Sequence, residues 1–350
     1  MGLRFEPIWF DSLGAKSACT FITTDDVSIL LEPGVAIMHK SFPASFSEKK
    51  AWYDEGYRRI CDAIKKADML ISSHYHYDHY LDDDLELFKN KTLVLKNPNE
   101  FINDAQYQRA KKFIEELTAY YEIKDDELKP STAMLVNYEN PFENLPLARK
   151  MDYGDYNTRK QQLMKKGKKW FDARVKKWDE HQVLSEIESN DITILFGENK
   201  EMMMGETLIR CSKPLFHGIE FARVGWVYAT IIEHRGKKFM HTSDICGPMI
   251  EDYAAFIIRE NPDILIMDGP PTYMYGYMLA TMNLKRTINN GLHILRNVDA
   301  NPIIYDHHLT RDPLYIKRTQ PVWDAAETFD KKLTTAAEYL GKRPVVLNKR

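Results

Sequence analysis

The sequence predicts an α/β (α+β) fold in which two β-sheets pack face to face with helices outside, and a helical insertion interrupts them. Apolar runs typical of strands are concentrated in two stretches, one near the N-terminus and one beginning near residue 192. Strands and helices alternate after the second stretch, as they do in layered folds. A polar segment with long helical periodicity separates the two stretches. This order is compatible with an αββα sandwich, although the pattern alone does not single that fold out.

The N-terminal stretch predicts three strands, a helix and a fourth, short strand. Apolar residues alternate or run together over 5–10, 18–23 and 27–31. Over 51–64 they recur at three- and four-residue spacing, which predicts a helix. The apolar run 69–71 predicts a short buried strand, and a histidine-rich segment follows it directly.

The C-terminal half predicts four strands followed by an alternation of helices and strands. The four strands are expected at 192–196, 207–211, 225–233 and 238–242. The alternation is then expected to run through helix 254–259, strand 264–267, helix 277–295, strand 302–305 and helix 323–340.

The segment 100–190 is expected to form a helical insertion or cap inside a single domain that spans 1–350. It is polar, and helical patterns occupy 102–121 and 157–187. No internal repeat or low-complexity tract is evident in the chain.

A basic stretch within the insertion has two interpretations. Residues 159–177 contain nine basic side chains and one acid, with aromatic residues interleaved. The stretch is either a nucleic-acid- or phosphate-binding arm, with Lys168 and Lys169 as candidate substrate contacts, or an amphipathic helix. In the second case Met164, Phe171 and Trp178 pack and the lysines are solvated. Packing is favoured, and the two interpretations are compatible.

Composition narrows the protein class. The 350 residues are 44% hydrophobic, which is enough for a sizeable core, and the net charge of −3 provides no global attraction for nucleic acid or anionic membranes. The N-terminal residues lack a signal-peptide pattern, and no apolar run reaches the roughly 18–20 residues that a membrane span needs. The four cysteines are scattered, as is typical of reduced thiols. A cytoplasmic protein without a membrane partner is therefore expected, and homo-oligomerisation is left open.

The segment Ser-Ser-His-Tyr-His-Tyr-Asp-His carries the main chemical signal. It places His74, His76, Asp78 and His79 within six positions, directly after the predicted strand 69–71. Imidazole and carboxylate groups are ligands that suit zinc, iron or manganese. In an extended chain His74, His76 and Asp78 point to one side, so the two histidines could bind one metal while Asp78 and His79 bind a neighbouring one.

This HxHxDH segment resembles the signature of the metallo-β-lactamase superfamily, and the resemblance extends along most of the chain outside the insertion. It implies the αββα metallo-β-lactamase sandwich. His217, Asp244 and the pair His307-His308 match the later ligand motifs of that superfamily, in its order. The HYHYDHY and SDxxGP segments add to this resemblance, and with them the chain is similar to a prokaryotic, mainly archaeal branch of the superfamily.

The resemblance implies two divalent metal ions, zinc first, with manganese or iron as alternatives. His74, His76 and His217 are expected to bind one ion, and Asp78, His79 and one of the last histidine pair the other, with Asp244 bridging them. His308 is favoured as that ligand, and His307 is then expected to act as a proton donor or to orient its neighbour. Two ions about 3.5–4 Å apart lower the pKa of a shared water to roughly 7, and the resulting bridging hydroxide is the expected nucleophile, oriented by Asp78.

Two weaker features follow predicted strands. Asp268 and Tyr273 come after the strand 264–267, at a strand end where polar groups of α/β sites collect, and a substrate-binding role and a rigid turn are equally compatible with them. The loop from Asp11 to Ser17 could approach the metals, although ordinary turn chemistry is favoured for it.

The predicted function is metal-dependent hydrolysis, with a phosphodiester or other phosphoester, free or in a nucleotide or nucleic acid, as the first substrate class. The basic arm and the two-metal site favour that class. Hydrolysis of a lactone, ester or thioester on the same metals is one alternative. A mononuclear iron dioxygenase acting on thiols is another, because enzymes of this kind in the superfamily also carry HxHxDH.

Overall fold

The computed structural model describes residues 2–129, 138, 140–221 and 223–348. Within them, eight strands form a first sheet: β1 (Arg4–Phe10), β2 (Ala18–Thr23), β3 (Ser28–Leu31), β4 (Met69–Ser72), β5 (Lys91–Leu95), β6 (Leu128–Lys129), β7 (Glu186–Glu188) and β8 (Ile192–Phe196). Their spatial order is β1-β2-β3-β4-β5-β8-β7-β6. The strands from β3 to β8 in that order run parallel, and both flanks are antiparallel.

Seven strands of the described chain form a second sheet: β9 (Glu201–Met204), β10 (Thr207–Cys211), β13 (Thr230–His234), β14 (Lys237–His241), β15 (Ile264–Asp268), β16 (Ile303–Asp306) and β17 (Leu333–Thr334). Their order is β17-β16-β15-β14-β13-β10-β9, and β14 to β17 run parallel. Between β10 and β13 in the chain, β11 (Leu215–Phe216) and β12 (Trp226–Val227) pair with each other.

The described helices are α1 (Phe46–Ile64), α2 (Asp104–Tyr120), α3 (Pro146–Lys150), α4 (Tyr156–Glu180), α5 (Glu251–Glu260), α6 (Thr281–Asn297), α7 (Tyr315–Arg318), α8 (Gln320–Thr328) and α9 (Ala336–Tyr339). Short 3-10 helices occupy Asp11–Leu13, Leu85–Phe88, Asp125–Glu127, Thr272–Met274, His307–Arg311 and Val345–Asn348. In the described part of the chain, none of the helices is both long and apolar enough to cross a bilayer.

The predicted layered architecture is confirmed. One apolar cluster joins the facing sides of the sheets, with Ile29 and Ile71 of the first sheet beside Phe239 and Ile304 of the second. A second cluster packs α1, α2 and α4 against the outer face of the first sheet, and a third packs α5, α6 and α8 against the outer face of the second. Helices therefore cover both sheets, as in an αββα sandwich.

Several elements differ from the sequence-based prediction. Strand β5 was not predicted, and the helix expected at 157–187 ends at Glu180, so that β7 can pair with β8. Together with β6, β7 extends the first sheet, so the segment 100–190 is not wholly helical; its residues 130–137 and 139 lie outside the described chain. The helix expected at 323–340 is divided into α8, β17 and α9. The strand expected at 225–233 is divided into β12 and β13.

The favoured interpretation of the basic stretch is confirmed. Phe171 and Trp178 on α4 are buried in the cluster on the first sheet, and Met164 packs against it. Trp170 stacks on Trp226 with ring centroids 4.9 Å apart. The helix is thus bound through its apolar face while its lysines from Lys165 to Lys177 face solvent. Lys160, near its start, is instead buried and donates to backbone carbonyls, including that of Ala148.

Candidate metal centre

The parallel strands of both sheets end at one edge, and the loops that follow them carry the candidate ligands. The segment from His74 to His79 follows β4, and Asp244 follows β14 closely. His307 directly follows β16. Because polar groups at the carboxyl ends of parallel strands meet at such an edge, residues far apart in sequence form one site.

A close approach of two loops shapes the segment that carries the four motif residues. The amide of His79 donates a hydrogen bond to the carbonyl of His76 (2.8 Å), which closes a turn. Gly34, after β3, lies against this turn, and a Cβ at that position would overlap the backbone nitrogens of His79 and Tyr80. The site therefore requires a residue without a side chain at position 34.

The first set of donors contains His74, His76, His217 and Asp244. The ligand atoms of these four side chains all lie within 4.8 Å of one another. His74 Nε2 is 3.0 Å from His76 Nδ1 and 3.8 Å from Asp244 Oδ2. His217 Nδ1 lies 2.8 Å from the carbonyl oxygen of Asp244, which leaves its Nε2 for a ligand. All four residues are those that the sequence predicts for the first ion.

The second set contains Asp78, His79 and His307, whose ligand atoms likewise lie within 4.8 Å of one another. The Nε2 atoms of His79 and His307 are 3.2 Å apart, and each is 3.7 Å from Asp244 Oδ2. Asp244 therefore lies between the two sets, in the bridging position expected for it.

The two adjacent histidines, His307 and His308, have exchanged the positions that the sequence predicts for them. His307, not His308, lies beside Asp78 and His79. Both ring nitrogens of His307 are engaged, because Nδ1 faces Asp11 Oδ1 at 3.0 Å and Nε2 faces His79. No ring nitrogen of His307 is thus left for the proton-donor role predicted for it. His308 instead turns Nδ1 toward Asp268, 3.1 Å from its Oδ1.

The donor chemistry fits a cation. His79 Nδ1 lies 2.9 Å from Glu32 Oε2, and His307 Nδ1 lies 3.0 Å from Asp11 Oδ1. Because each carboxylate accepts an N–H from Nδ1, the neutral rings direct two Nε2 lone pairs into the same space. Two lone pairs at 3.2 Å repel each other unless a proton or a metal ion lies between them. A divalent ion satisfies both.

Burial and charge bias the protonation of these ligands. Burial, followed by the neighbouring imidazoles His79, His76 and His217, lowers the pKa of His74 well below its ordinary value. Burial, followed by the imidazole of His217, lowers the pKa of His76 to about 3. His307 differs, because Asp11 raises its pKa well above the ordinary range although burial opposes this. His74 and His76 are therefore ready to bind a cation at neutral pH. His217, whose pKa Asp244 raises although burial opposes this, and His307 must each release a proton first.

Four residues at the centre were not predicted as site residues. Glu32 and Asp11 orient ligand histidines, and Gln106 of the insertion places Nε2 3.4 Å from His76 Nε2. Arg311 contacts Asp11 and lies 3.3 Å from Asp78 Oδ2 through Nη2. Asp11 belongs to the loop for which turn chemistry was favoured. That loop does reach the centre, since Ser17 also offers its carbonyl oxygen to His307 at 3.2 Å.

The predicted substrate contacts lie in different places. Asp268 is buried beside His308, and Tyr273 stacks on His39 (4.9 Å) and interacts with Arg311 at the edge of the centre. Lys168 and Lys169 are exposed on α4, and Lys168 pairs with Asp172 at 2.8 Å. No contact in the described chain connects these lysines with the centre, so their substrate-binding role stays a prediction.

Solved structures with a similar chain path include metallo-β-lactamase fold proteins. YhfI from Bacillus subtilis, a metallo-β-lactamase fold protein, has a TM-score of 0.43 and 12% identity, with 95% of each chain covered. The metallo hydrolase Igni18 from Ignicoccus hospitalis has a TM-score of 0.40 and 12% identity, with 92% of each chain covered. The short form of human tRNase Z has a TM-score of 0.40 and 10% identity over 88% of this chain and 92% of its own.

Curated sequences give a clearer relationship, although no family model matches the chain. A UPF0282 protein of Methanopyrus kandleri is 30% identical over 361 residues, covering 99% of this chain and 96% of the relative. Another UPF0282 protein, from Methanocaldococcus jannaschii, is 30% identical over 359 residues, covering 99% of this chain and 94% of the relative. These relatives agree with the mainly archaeal branch expected from the motifs. The chain therefore belongs to the UPF0282 protein family.

Proposed function

We propose that this chain is a hydrolase that depends on two divalent metal ions, most consistently zinc. The observation that carries the proposal is the pair of donor sets that converge on Asp244. One ion would be bound by His74, His76, His217 and Asp244, and the other by Asp78, His79, His307 and Asp244. Histidine and carboxylate donors of this number suit zinc, with manganese or iron as alternatives.

Bound ions of this kind supply Lewis acidity and lower the pKa of a water molecule toward neutrality. The side chain of Asp78 orients the attacking water and accepts its proton at the carboxylate. Burial alone would raise the pKa of Asp78, but His79, Arg311 and His307 hold it below the ordinary range. Asp78 is therefore ionised at neutral pH, as a proton acceptor has to be.

Two cationic side chains near the candidate ligands, Arg311 and Lys16, favour an anionic substrate, and a phosphoester in particular. Arg311 directs Nη2 toward Asp78. Half-buried Lys16 follows the Asp11–Leu13 turn, and burial, then Arg311, lowers its pKa, against the effect of Asp78 and Asp11. Within the described residues, no hydrogen bond or ion pair engages the Lys16 ammonium group. An ammonium held in this position without a partner is suited to bind a phosphoryl oxygen.

The substrate class can be tested with Lys16→Gln. We expect KM for a bis-aryl phosphate to rise about 10-fold, which corresponds to the loss of one charge-assisted hydrogen bond. Turnover of an uncharged aryl ester with the same leaving group should change little. Lys40→Gln, an exposed lysine in the following segment, is the control. Hydrolysis of esters or lactones without hydrolysis of phosphodiesters would support the alternative substrate class.

The metal requirement can be tested by elemental analysis of protein purified without added metal. At least two ions of zinc or manganese per chain agree with the proposal. One iron per chain, with oxygen-dependent consumption of a thiol substrate, would contradict the hydrolase and support the mononuclear dioxygenase.

A further inference from the structure

A third group of possible ligands lies beside the two sets already described. It consists of Asp244, Cys246, Asp268 and His308, whose ligand atoms all lie within 4.8 Å of one another. His308 Nδ1 is 3.1 Å from Asp268 Oδ1 and 3.3 Å from Asp244 Oδ1. Cys246 Sγ is 3.6 Å from Asp244 Oδ1. All four side chains are buried.

The two carboxylate oxygens of Asp244 face different groups. Oδ2 faces the imidazoles of His74, His79 and His307, at 3.7–3.8 Å. Oδ1 faces His308 and Cys246, and His217 of the first set also lies 3.3 Å from it through Nδ1. The third group therefore meets an oxygen that the second donor set does not approach.

The charges of this group are not balanced by lysine or arginine. Among the described residues, the ion-pair partners of Asp244 and Asp268 are all histidines. Two buried carboxylates and a thiol thus converge on the ring of His308. Buried anions of this kind are ordinarily compensated by a cationic side chain or a metal ion.

The backbone holds the cysteine in place at a conformational cost. Cys246 has a φ of 53°, in the left-handed region that favours glycine. The amide of Cys246 donates a hydrogen bond to Asp268 Oδ2 at 2.6 Å. Gly247 follows, and a Cβ there would lie 2.9 Å from the nitrogen of Pro270. The turn of Cys246 is therefore fixed against Asp268 at the end of β15 and against the loop that follows it.

We propose that Asp244, Cys246, Asp268 and His308 form a third cation site, selective for a thiophilic divalent ion such as zinc. Thiolate, imidazole and carboxylate in fourfold coordination are the donors that zinc prefers. Binding replaces the S–H bond of Cys246 by a sulfur–metal bond and releases the proton to solvent, without a change in oxidation state. His308 binds through Nδ1, which places its ring proton on Nε2.

Titration of the full-length, metal-free chain with Co²⁺ tests this site. Cobalt bound by histidine and carboxylate alone gives ligand-field bands, whereas a thiolate ligand adds a charge-transfer band in the near ultraviolet. We expect that band to appear in the wild type and to be absent in Cys246→Ser. It should persist in Cys211→Ser, a buried cysteine on β10 outside the three groups. Absence of the band from the wild type, or its persistence in Cys246→Ser, overturns the proposal.

X-ray absorption of the zinc-loaded wild type tests the third site directly, so the result does not depend on whether a variant folds. We expect a sulfur scatterer at about 2.3 Å from zinc, the usual Zn–S distance. A zinc environment with nitrogen and oxygen only, at three ions per chain, overturns the third site but leaves the two-ion hydrolase intact.

Discussion

Glu32 determines which nitrogen of His79 faces the metal centre. Its Oε2 lies 2.9 Å from His79 Nδ1, and both side chains are buried. In Glu32→Gln the negative charge is lost, so the ring is a weaker base and its tautomer is less strongly fixed. We expect affinity for the second ion to fall about 10-fold, the low end of the range for groups that orient metal ligands. Competition with a zinc chelator measures this affinity.

The first ion supplies an internal control in the same titration, because Glu32 makes no hydrogen bond to His74, His76 or His217 among the described contacts, although its carboxylate lies within 4.8 Å of the ring of His74. Glu201→Gln, an exposed residue on β9, controls for the change of charge. Equal weakening of both ions would show that Glu32 acts on the fold and not on His79.

His241 makes the stability of the metal-free protein depend on pH. It is buried, its Nδ1 accepts the Ser243 amide (3.0 Å) and its Nε2 lies 3.1 Å from the carbonyl oxygen of Ala18 on the other sheet. Burial lowers its pKa from 6.5 to about 4. As the pH falls below 6.5 the unfolded chain binds a proton that the folded chain does not, so folding free energy is lost until about pH 4. The total loss is about 3 kcal/mol, at 1.36 kcal/mol per pKa unit.

Urea unfolding between pH 7 and pH 4.5 in the presence of a chelator measures that loss. In His241→Gln the titrating group is absent, so its stability should depend less steeply on pH than that of the wild type. Parallel profiles for the two proteins would contradict the assignment to His241.

At the level of elements, the site depends on the contact between the turn after β3 and the loop that carries the motif. In Gly34→Ala the new methyl group meets the backbone of His79 and Tyr80, and backbone cannot rotate away as a side chain can. We expect the free energy of unfolding to fall by about 1–3 kcal/mol, the usual range for overpacking. Binding of the second ion should also weaken, because the loop that carries Asp78 and His79 must shift.

Gly2→Ala is the matched control, since a Cβ at Gly2 meets no atom within 4 Å. Thermal unfolding of the metal-free proteins separates the effect on folding from the effect on metal binding. An unchanged melting temperature for Gly34→Ala would contradict the close approach of the two loops.

Elements with a strong local pattern were predicted well, and those that depend on tertiary pairing were not. Apolar residues alternate or run together in β1 and β2, and both strands were predicted nearly to the residue. Strands β6, β7 and β17 are two or three residues long and exist because a neighbouring strand supplies hydrogen bonds. Such short pairings leave no periodic pattern in the sequence.

At the level of the whole molecule, most of the candidate ligands were predictable and the residues that orient them were not. His74, His76, Asp78 and His79 form a local string that is visible in the sequence. Asp11 and His307 are 296 positions apart and meet only in the folded chain. The identity of the histidine beside Asp78 also depends on this contact, because Asp11 engages the ring of His307. Neighbouring histidines cannot be distinguished before such a partner is known.

The candidate metal centre joins the two sheets, and this predicts a large effect of metal on stability. His74 and His79 follow a strand of the first sheet, whereas Asp244 and His307 follow strands of the second. Ions bound between them stabilise the folded chain alone, by about 2.7 kcal/mol for each site when free metal is 100 times its dissociation constant. We expect zinc to raise the urea midpoint of the wild type in one cooperative transition. The rise should be much smaller in Asp244→Asn, because that residue faces all the donor sets. A rise of equal size in Asp244→Asn would place the zinc outside this centre.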